Sequence, residues 1–146
     1  MNKDVWVTVE GTQFGVTPGG DKIEILTPGS YYRKKDHHCL LFDEVVEGSD
    51  EVTKNIVRFD DDMLTISKRG FTNVEMIFEK NKRNMTNYVT PYGSLLLGID
   101  TDRIDITESD DSINIDIDYA LDINYEHMVD CKIKMEIRNS LTTHIT

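Results

Sequence analysis

From Ser112 to Tyr125 apolar and polar residues alternate. Ile113, Ile115, Ile117, Tyr119, Leu121, Ile123 and Tyr125 fill one set of positions; Asn114, Asp116, Asp118, Asp122 and Asn124 fill the other. Successive side chains of a strand point to opposite sheet faces, so a period of two predicts one buried and one wet face. A helix would scatter these isoleucines around its circumference. The stretch therefore commits the chain to a long antiparallel strand and predicts that the odd residues, Tyr125 included, face a core.

The same rhythm continues along the chain. Segments of this kind are predicted at 4–13, 22–33, 37–47, 52–60, 63–69, 73–79, 85–92, from 94 onward, 112–125 and 129–138. Thr17-Pro-Gly-Gly-Asp21, Lys34-Lys-Asp36, Gly48-Ser-Asp50, Asp60-Asp-Asp62 and Lys80-Asn-Lys-Arg-Asn84 separate them with turn chemistry. Thr27-Pro-Gly29 interrupts the second segment and predicts a bulge or an open edge there, since proline cannot donate to a ladder. After Gly93 the apolar parity switches, from Leu95, Leu97 and Ile99 to Ile104 and Ile106. A one-residue slip flips every side chain, so a bulge is expected at residues 100–102. No window carries helical spacing. Strands at such short, regular intervals predict a sandwich or a barrel, and closure is the simplest way to remove the sheet's edges.

At 146 residues the chain suits one domain, with a barrel over residues 1–138 and a polar, fraying tail over 139–146. It carries 27 Asp+Glu against 16 Lys+Arg, a net charge of −11. That sign opposes phosphate, so neither nucleic acid nor an anionic membrane is expected as partner. No apolar run approaches the ~20 residues of a spanning helix, and Met1-Asn-Lys-Asp-Val-Trp6 has no export signal. Cys39 and Cys131, far apart and outside any C-x-x-C, predict reduced, buried thiols and a cytoplasmic setting.

Several fragments occur in a fixed order: Gly29-x-Tyr31 with Lys34, Leu40-x-Phe42-x-Glu44, Arg69-Gly70, Met76-x-Phe78, Tyr88-x-Thr90-x-Tyr92-Gly93, Leu95-x-Leu97-x-Ile99-x-Thr101 and Ile115-x-Ile117-x-Tyr119. Together they resemble the YwiB-like family of small bacterial proteins, a domain of unknown function. The resemblance covers nearly the whole chain and implies an all-β, lipocalin-like (calycin-like) antiparallel barrel. It implies no activity, because the family has none established. The His37-His38 stretch and the Ser/Thr-rich tail depart from the shared motifs.

Chemistry-bearing motifs are few. In His37-His38-Cys39 only the first and third residues share a strand face, and a structural zinc site needs about four ligands, so no metal is expected. Asp60-Asp-Asp62 and Asp100-x-Asp102 lack the calcium-loop pattern and read as turn formers. No phosphate loop, nucleophile elbow or acid–base constellation is legible, and no cofactor is expected. The sharpest pair is Glu44, which shares parity with Leu40 and Phe42, and Arg69, which ends a strand beside a glycine. A buried charge persists only when paired, so the two are expected to reach into the barrel interior or its rim, within ion-pairing distance of each other or of a shared water. They form either a structural ion pair or polar anchors for a ligand, with Tyr88, Tyr92 and Tyr119 lining the cavity in the second case. Two functions follow. One is a barrel binding a small, partly apolar molecule. The other is a filled barrel acting as an interaction module or homodimer, suggested by the apolar residues on both faces of 37–47. An enzyme is the least supported reading.

Overall fold

In the computed structural model, which describes residues 3–12, 22–45 and 50–140, consecutive strands pair with each other except β6 with β7, and the first strand also pairs with the last. The strands are β1 (Asp4–Thr12), β2 (Lys22–Arg33), β3 (His38–Val45), β4 (Val52–Phe59), β5 (Met63–Arg69), β6 (Val74–Glu79), β7 (Arg83–Thr90), β8 (Gly93–Glu108), β9 (Ser112–Ile123) and β10 (Glu126–Asn139). Their order in the sheet is β6-β5-β4-β3-β2-β1-β10-β9-β8-β7, antiparallel throughout, and no helix occurs among the described residues. The outermost strands, β6 and β7, are consecutive in sequence, so the sheet wraps round on itself. One bridge holds the seam: Asn73 N–H donates to Val89 O at 2.9 Å, and Val89 N–H to Asn73 O at 2.8 Å. The result is a nearly closed all-β barrel, the architecture expected from the strand rhythm.

The alternating residues of β9 set the interior. Ile113, Ile115, Ile117, Tyr119 and Leu121 are all buried, and facing residues of β10 (Cys131, Ile133, Met135, Ile137) and β8 (Leu97, Ile99, Ile104) join them in one core cluster. Leu40, Val57, Phe59, Leu64, Met76 and Phe78 complete it from the other wall. Full burial of one such side chain is worth about 1.5–3 kcal/mol, so this cluster is the main stabilising term.

The parity switch in β8 has the expected cause. Pairing with β9 shifts register between Thr101 and Arg103, which leaves Asp102 as the extra residue and keeps both Ile99 and Ile104 inward. The turn after β6 docks on this irregularity: Asn81 N–H donates to Thr101 O at 2.8 Å, and Thr101 N–H to Lys82 O at 3.2 Å.

Two expectations are corrected, and one is resolved between its alternatives. Tyr125 does not face the core. Asn124 and Tyr125 adopt positive φ (52° and 64°) and form the β9–β10 turn, leaving Tyr125 exposed. Thr27-Pro-Gly29 carries no bulge, since β2 pairs continuously with β1 through these residues; its pairing with β3 begins only at Gly29, so Pro28 marks an open edge. The tail does not begin at 139: Asn139 pairs with Val5, and Ser140 N–H donates to Asp4 O at 3.1 Å. Residues 141–146, like 46 and 47 of the third predicted strand, lie outside the described residues.

Candidate functional site

An up-and-down barrel places alternate connections at opposite ends. The C-terminal ends of β1, β3, β5, β7 and β9 share one mouth; those of β2, β4, β6, β8 and β10 share the second, with the start of β1. Polar side chains reach the inner face near both mouths.

At the first mouth, Glu44 continues the inward parity of Leu40 and Phe42. Its register partner is Thr53, and Asn55 stands between Phe42 and Lys68 on the inner faces of β4 and β5. Lys68 Nζ donates to Glu44 Oε1 at 2.8 Å and to Asn55 Oδ1 at 2.9 Å. Asn55 Nδ2 donates to Glu44 Oε1 at 3.3 Å. Asn55 and Thr53 are buried, while the Glu44 and Lys68 side chains are 26% and 20% exposed. The charges are thus paired yet accessible. Tyr88, half-buried on β7, belongs to the same region: burial raises its pKa, a hydrogen bond with Thr72 opposes this, and the Glu44 charge adds to the rise.

Glu44 therefore lies inside the barrel, as its parity predicts, but its partner is Lys68. Arg69 is exposed on the outer face, in register with Lys54. The reason is the pleat: Leu64 and Ile66 are inward, so the next inward position is 68. Tyr92 also stands apart, 93% exposed in the β7–β8 turn, where its N–H donates to Thr90 Oγ1 at 3.1 Å. Tyr119 is buried mid-barrel, its ring edge-on to Phe78 with centroids 5.0 Å apart. Its hydroxyl faces the Cys131 thiol, its register partner, and burial pushes its pKa far up, so it stays neutral. Of the five predicted residues, the fold brings Glu44 and Tyr88 to one region and leaves Arg69, Tyr92 and Tyr119 elsewhere.

The second mouth holds a group that sequence reasoning missed. Tyr31 of β2 and His38 of β3 share the inner face, with the Tyr31 hydroxyl 2.5 Å from His38 Nδ1. The imidazole stacks on Phe59, rings 4.5 Å apart and inclined by 2°. Arg33 Nη1 donates to Glu108 Oε1 at 2.6 Å. Burial, and then the Arg33 charge, lower the His38 pKa. The parity of Tyr31 with Arg33, and of His38 with Leu40, was the available signal.

The outer face of β8, β9 and β10 carries ion pairs. Arg103 bonds Asp118 at 2.8 Å and also Asp105, while Arg83 reaches Asp100 at 2.6 Å and the buried Asp122. Gly98 makes the last contact feasible: a Cβ there would collide with the Arg83 guanidinium and the Asp122 carboxylate. Cys39 is buried on the outer face beside Tyr32 and Arg58, whereas Cys131 faces inward, so the two free thiols lie on opposite sides of the wall. Among the described residues, no three His, Cys, Asp or Glu side chains are grouped to hold a metal ion. Nor is any helix long and apolar enough to cross a membrane.

The model of the family described as a Domain of unknown function (DUF1934) matches residues 7–135. The chain belongs to this family. The crystal structure of the ywiB protein from Bacillus subtilis superposes with a TM-score of 0.72, at 20% sequence identity, over 94% of this chain and 90% of that one. The likeness shows that this member of the DUF1934 family shares that protein's fold. No curated protein matches the chain.

Proposed function

We propose that the barrel is a cytoplasmic small-molecule binder, and that its ligand, polar at one end and apolar at the other, sits at the mouth lined by Glu44, Asn55, Lys68 and Tyr88. The observation that carries this reading is the network of Glu44, Lys68 and Asn55 on the inner face. A charged pair inside a barrel is costly to keep for stability alone, because apolar residues of similar volume serve as well or better. Partial exposure gives a ligand access to the remaining donor of Lys68 and to the Tyr88 hydroxyl, with the apolar cluster behind them. Arg69, on the outer face, and Tyr92, in the exposed β7–β8 turn, are not part of the proposed mouth, and Tyr119 enters only as a member of the apolar cluster. Two free cysteines suit a reducing compartment.

Native mass spectrometry of protein purified gently from cells tests the proposal. A bound mass that disappears in Glu44→Leu/Lys68→Met is expected; an adduct unchanged in that variant refutes the location. A second reading, self-association, draws on exposed aliphatic residues on the outer faces of β2, β3 and β4: Leu26 (64%), Val45 (68%), Val52 (39%) and Leu41 (36%). It predicts a dimer in sedimentation that Leu41→Lys dissociates.

A further inference from the structure

Arg33 and Glu108 sit on β2 and β8, with β1, β10 and β9 between them in the sheet order. Their ion pair therefore bridges the second mouth from strand to strand instead of running along the wall. Directly inward is the Tyr31 hydroxyl, within reach of the Arg33 guanidinium and hydrogen-bonded to His38. Glu108, Arg33, Tyr31 and His38 thus form one chain of polar contacts that ends on the buried ring of Phe59.

Cations gather on the β2–β3 side of this mouth, while its β4–β5 and β8–β9 turns carry Asp60, Asp61, Asp62, Asp110 and Asp111. Lys34 and Lys35 follow Arg33 directly. Lys3 and Lys34 both place their ammonium groups at the Tyr32 ring, 5.4 and 5.8 Å from its centroid. The acids facing His38 are Glu108 and Asp61, with Asp36 engaged by His37 at 2.9 Å. A planar guanidinium backed by a hydroxyl and an imidazole is the arrangement that receives a carboxylate or phosphate group. Glu108 already supplies such a group from within the chain, and at 42% exposure its side chain is free to leave.

We propose that this mouth is an oxyanion site, in which the carboxylate or phosphate of a small molecule displaces Glu108 from Arg33 and takes a second hydrogen bond from Tyr31. In the empty state the Tyr31 O–H donates to His38 Nδ1. When the anion arrives, His38 accepts one proton from solvent and donates it through Nδ1 to the Tyr31 oxygen, so the hydroxyl proton turns toward the anion. Binding therefore takes up a proton and weakens as pH rises through the neutral range. The occupant is a small anion and not a polyanion, because residues 93–140 carry twelve Asp+Glu against four Lys+Arg.

Calorimetric titration with inorganic phosphate, and separately with acetate, tests this at matched ionic strength, at about pH 6 and about pH 8. One of the two anions is expected to bind at millimolar concentration, more tightly at the lower pH, and to raise the His38 pKa seen by NMR. Binding of phosphate alone assigns a phosphate-bearing ligand, and binding of acetate alone a carboxylate. Glu108→Gln removes the internal competitor and should tighten binding by up to about fivefold, the equivalent of one exposed ion pair. Arg33→Gln should abolish it, and Arg33→Lys should weaken it by losing the fork. Arg33 is 61% exposed, so these variants keep the fold, which circular dichroism checks. If Glu108→Gln fails to tighten binding, if Arg33→Gln binds like the wild type, or if neither anion binds Glu108→Gln, the proposal is wrong.

Discussion

Replacing Lys68 by methionine keeps the aliphatic stem and removes the charge. Glu44 is then left with the Asn55 amide, 3.3 Å away, as its remaining partner inside the barrel. Exposed ion pairs contribute about 0–1 kcal/mol, and breaking a buried pair costs about 3–5 kcal/mol. Glu44 and Lys68, roughly three-quarters buried at 26% and 20% exposure, fall between these limits. We expect Lys68→Met to cost about 2 kcal/mol near neutral pH. For a chain of 146 residues, that lowers Tm by about 6–8 °C. Adding Glu44→Leu removes the stranded carboxylate, so the double variant should recover most of the loss. Urea unfolding of the four proteins closes a double-mutant cycle. A Lys68→Met protein within about 0.5 kcal/mol of wild type, or strictly additive effects, would show that the pair is not energetically coupled.

Other outcomes follow from particular contacts. Gly98→Ala pushes the Arg83 guanidinium off Asp122 and should cost about 1–3 kcal/mol in urea unfolding; a neutral substitution would mean that Arg83 crosses the sheet elsewhere. Tyr119→Phe removes a buried hydroxyl with no nitrogen or oxygen partner among the described residues, and should change stability by less than about 1 kcal/mol in either direction. The folded pKa of His38 lies below its ordinary value of 6.5, so the unfolded chain gains its proton first as pH falls. Stability measured through that window should decline toward acid, against Arg33, His37, Glu108 and Asp61 held in place, and His38→Gln should flatten the decline.

The sheet was legible because its signal is one-dimensional. Alternation along β9 states which residues are buried, and the parity switch between Ile99 and Ile104 locates Asp102 as the inserted residue. What faded was chemistry that depends on two strands at once. Glu44 follows from its own strand alone, but charge and a glycine neighbour point to Arg69, whereas parity with Leu64 and Ile66 selects Lys68. The tyrosines failed for a related reason: Tyr88, Tyr92 and Tyr119 look alike in sequence, yet one is half-buried on a strand, one tips a turn and one fills the core. Tyr31 with His38, and Arg33 with Glu108, needed the β2–β3 register and the curvature of the barrel respectively. Neither is written in any single segment.

Charge is divided by wall, and this bears on how the barrel meets other molecules. On β8 and β9, Asp105 and Asp116 stand directly opposite each other, an arrangement that destabilises a sheet unless a cation intervenes. Arg103 does so by bonding Asp105 and Asp118 together, and the register adds Lys134 opposite Asp116 and Lys132 opposite Asp118. The wall is thus internally compensated in places but keeps a surplus of acid, since residues 93–140 hold a net −8 of the chain's −11. Two such walls repel across an interface. The row Ser30, Leu41, Ile56 and Ser67, which crosses β2 to β5 on the outer face, bears no charge and is flanked by one acid, Asp43, and two cations, Lys54 and Arg69. Under the self-association reading, this second wall is the better candidate surface, where a two-fold axis would set Asp43 of one copy against the cations of the other. Raising the salt concentration should then weaken a dimer only slightly, because its core is uncharged; a dimer that forms through the β8–β10 wall would instead strengthen as salt screens its acids.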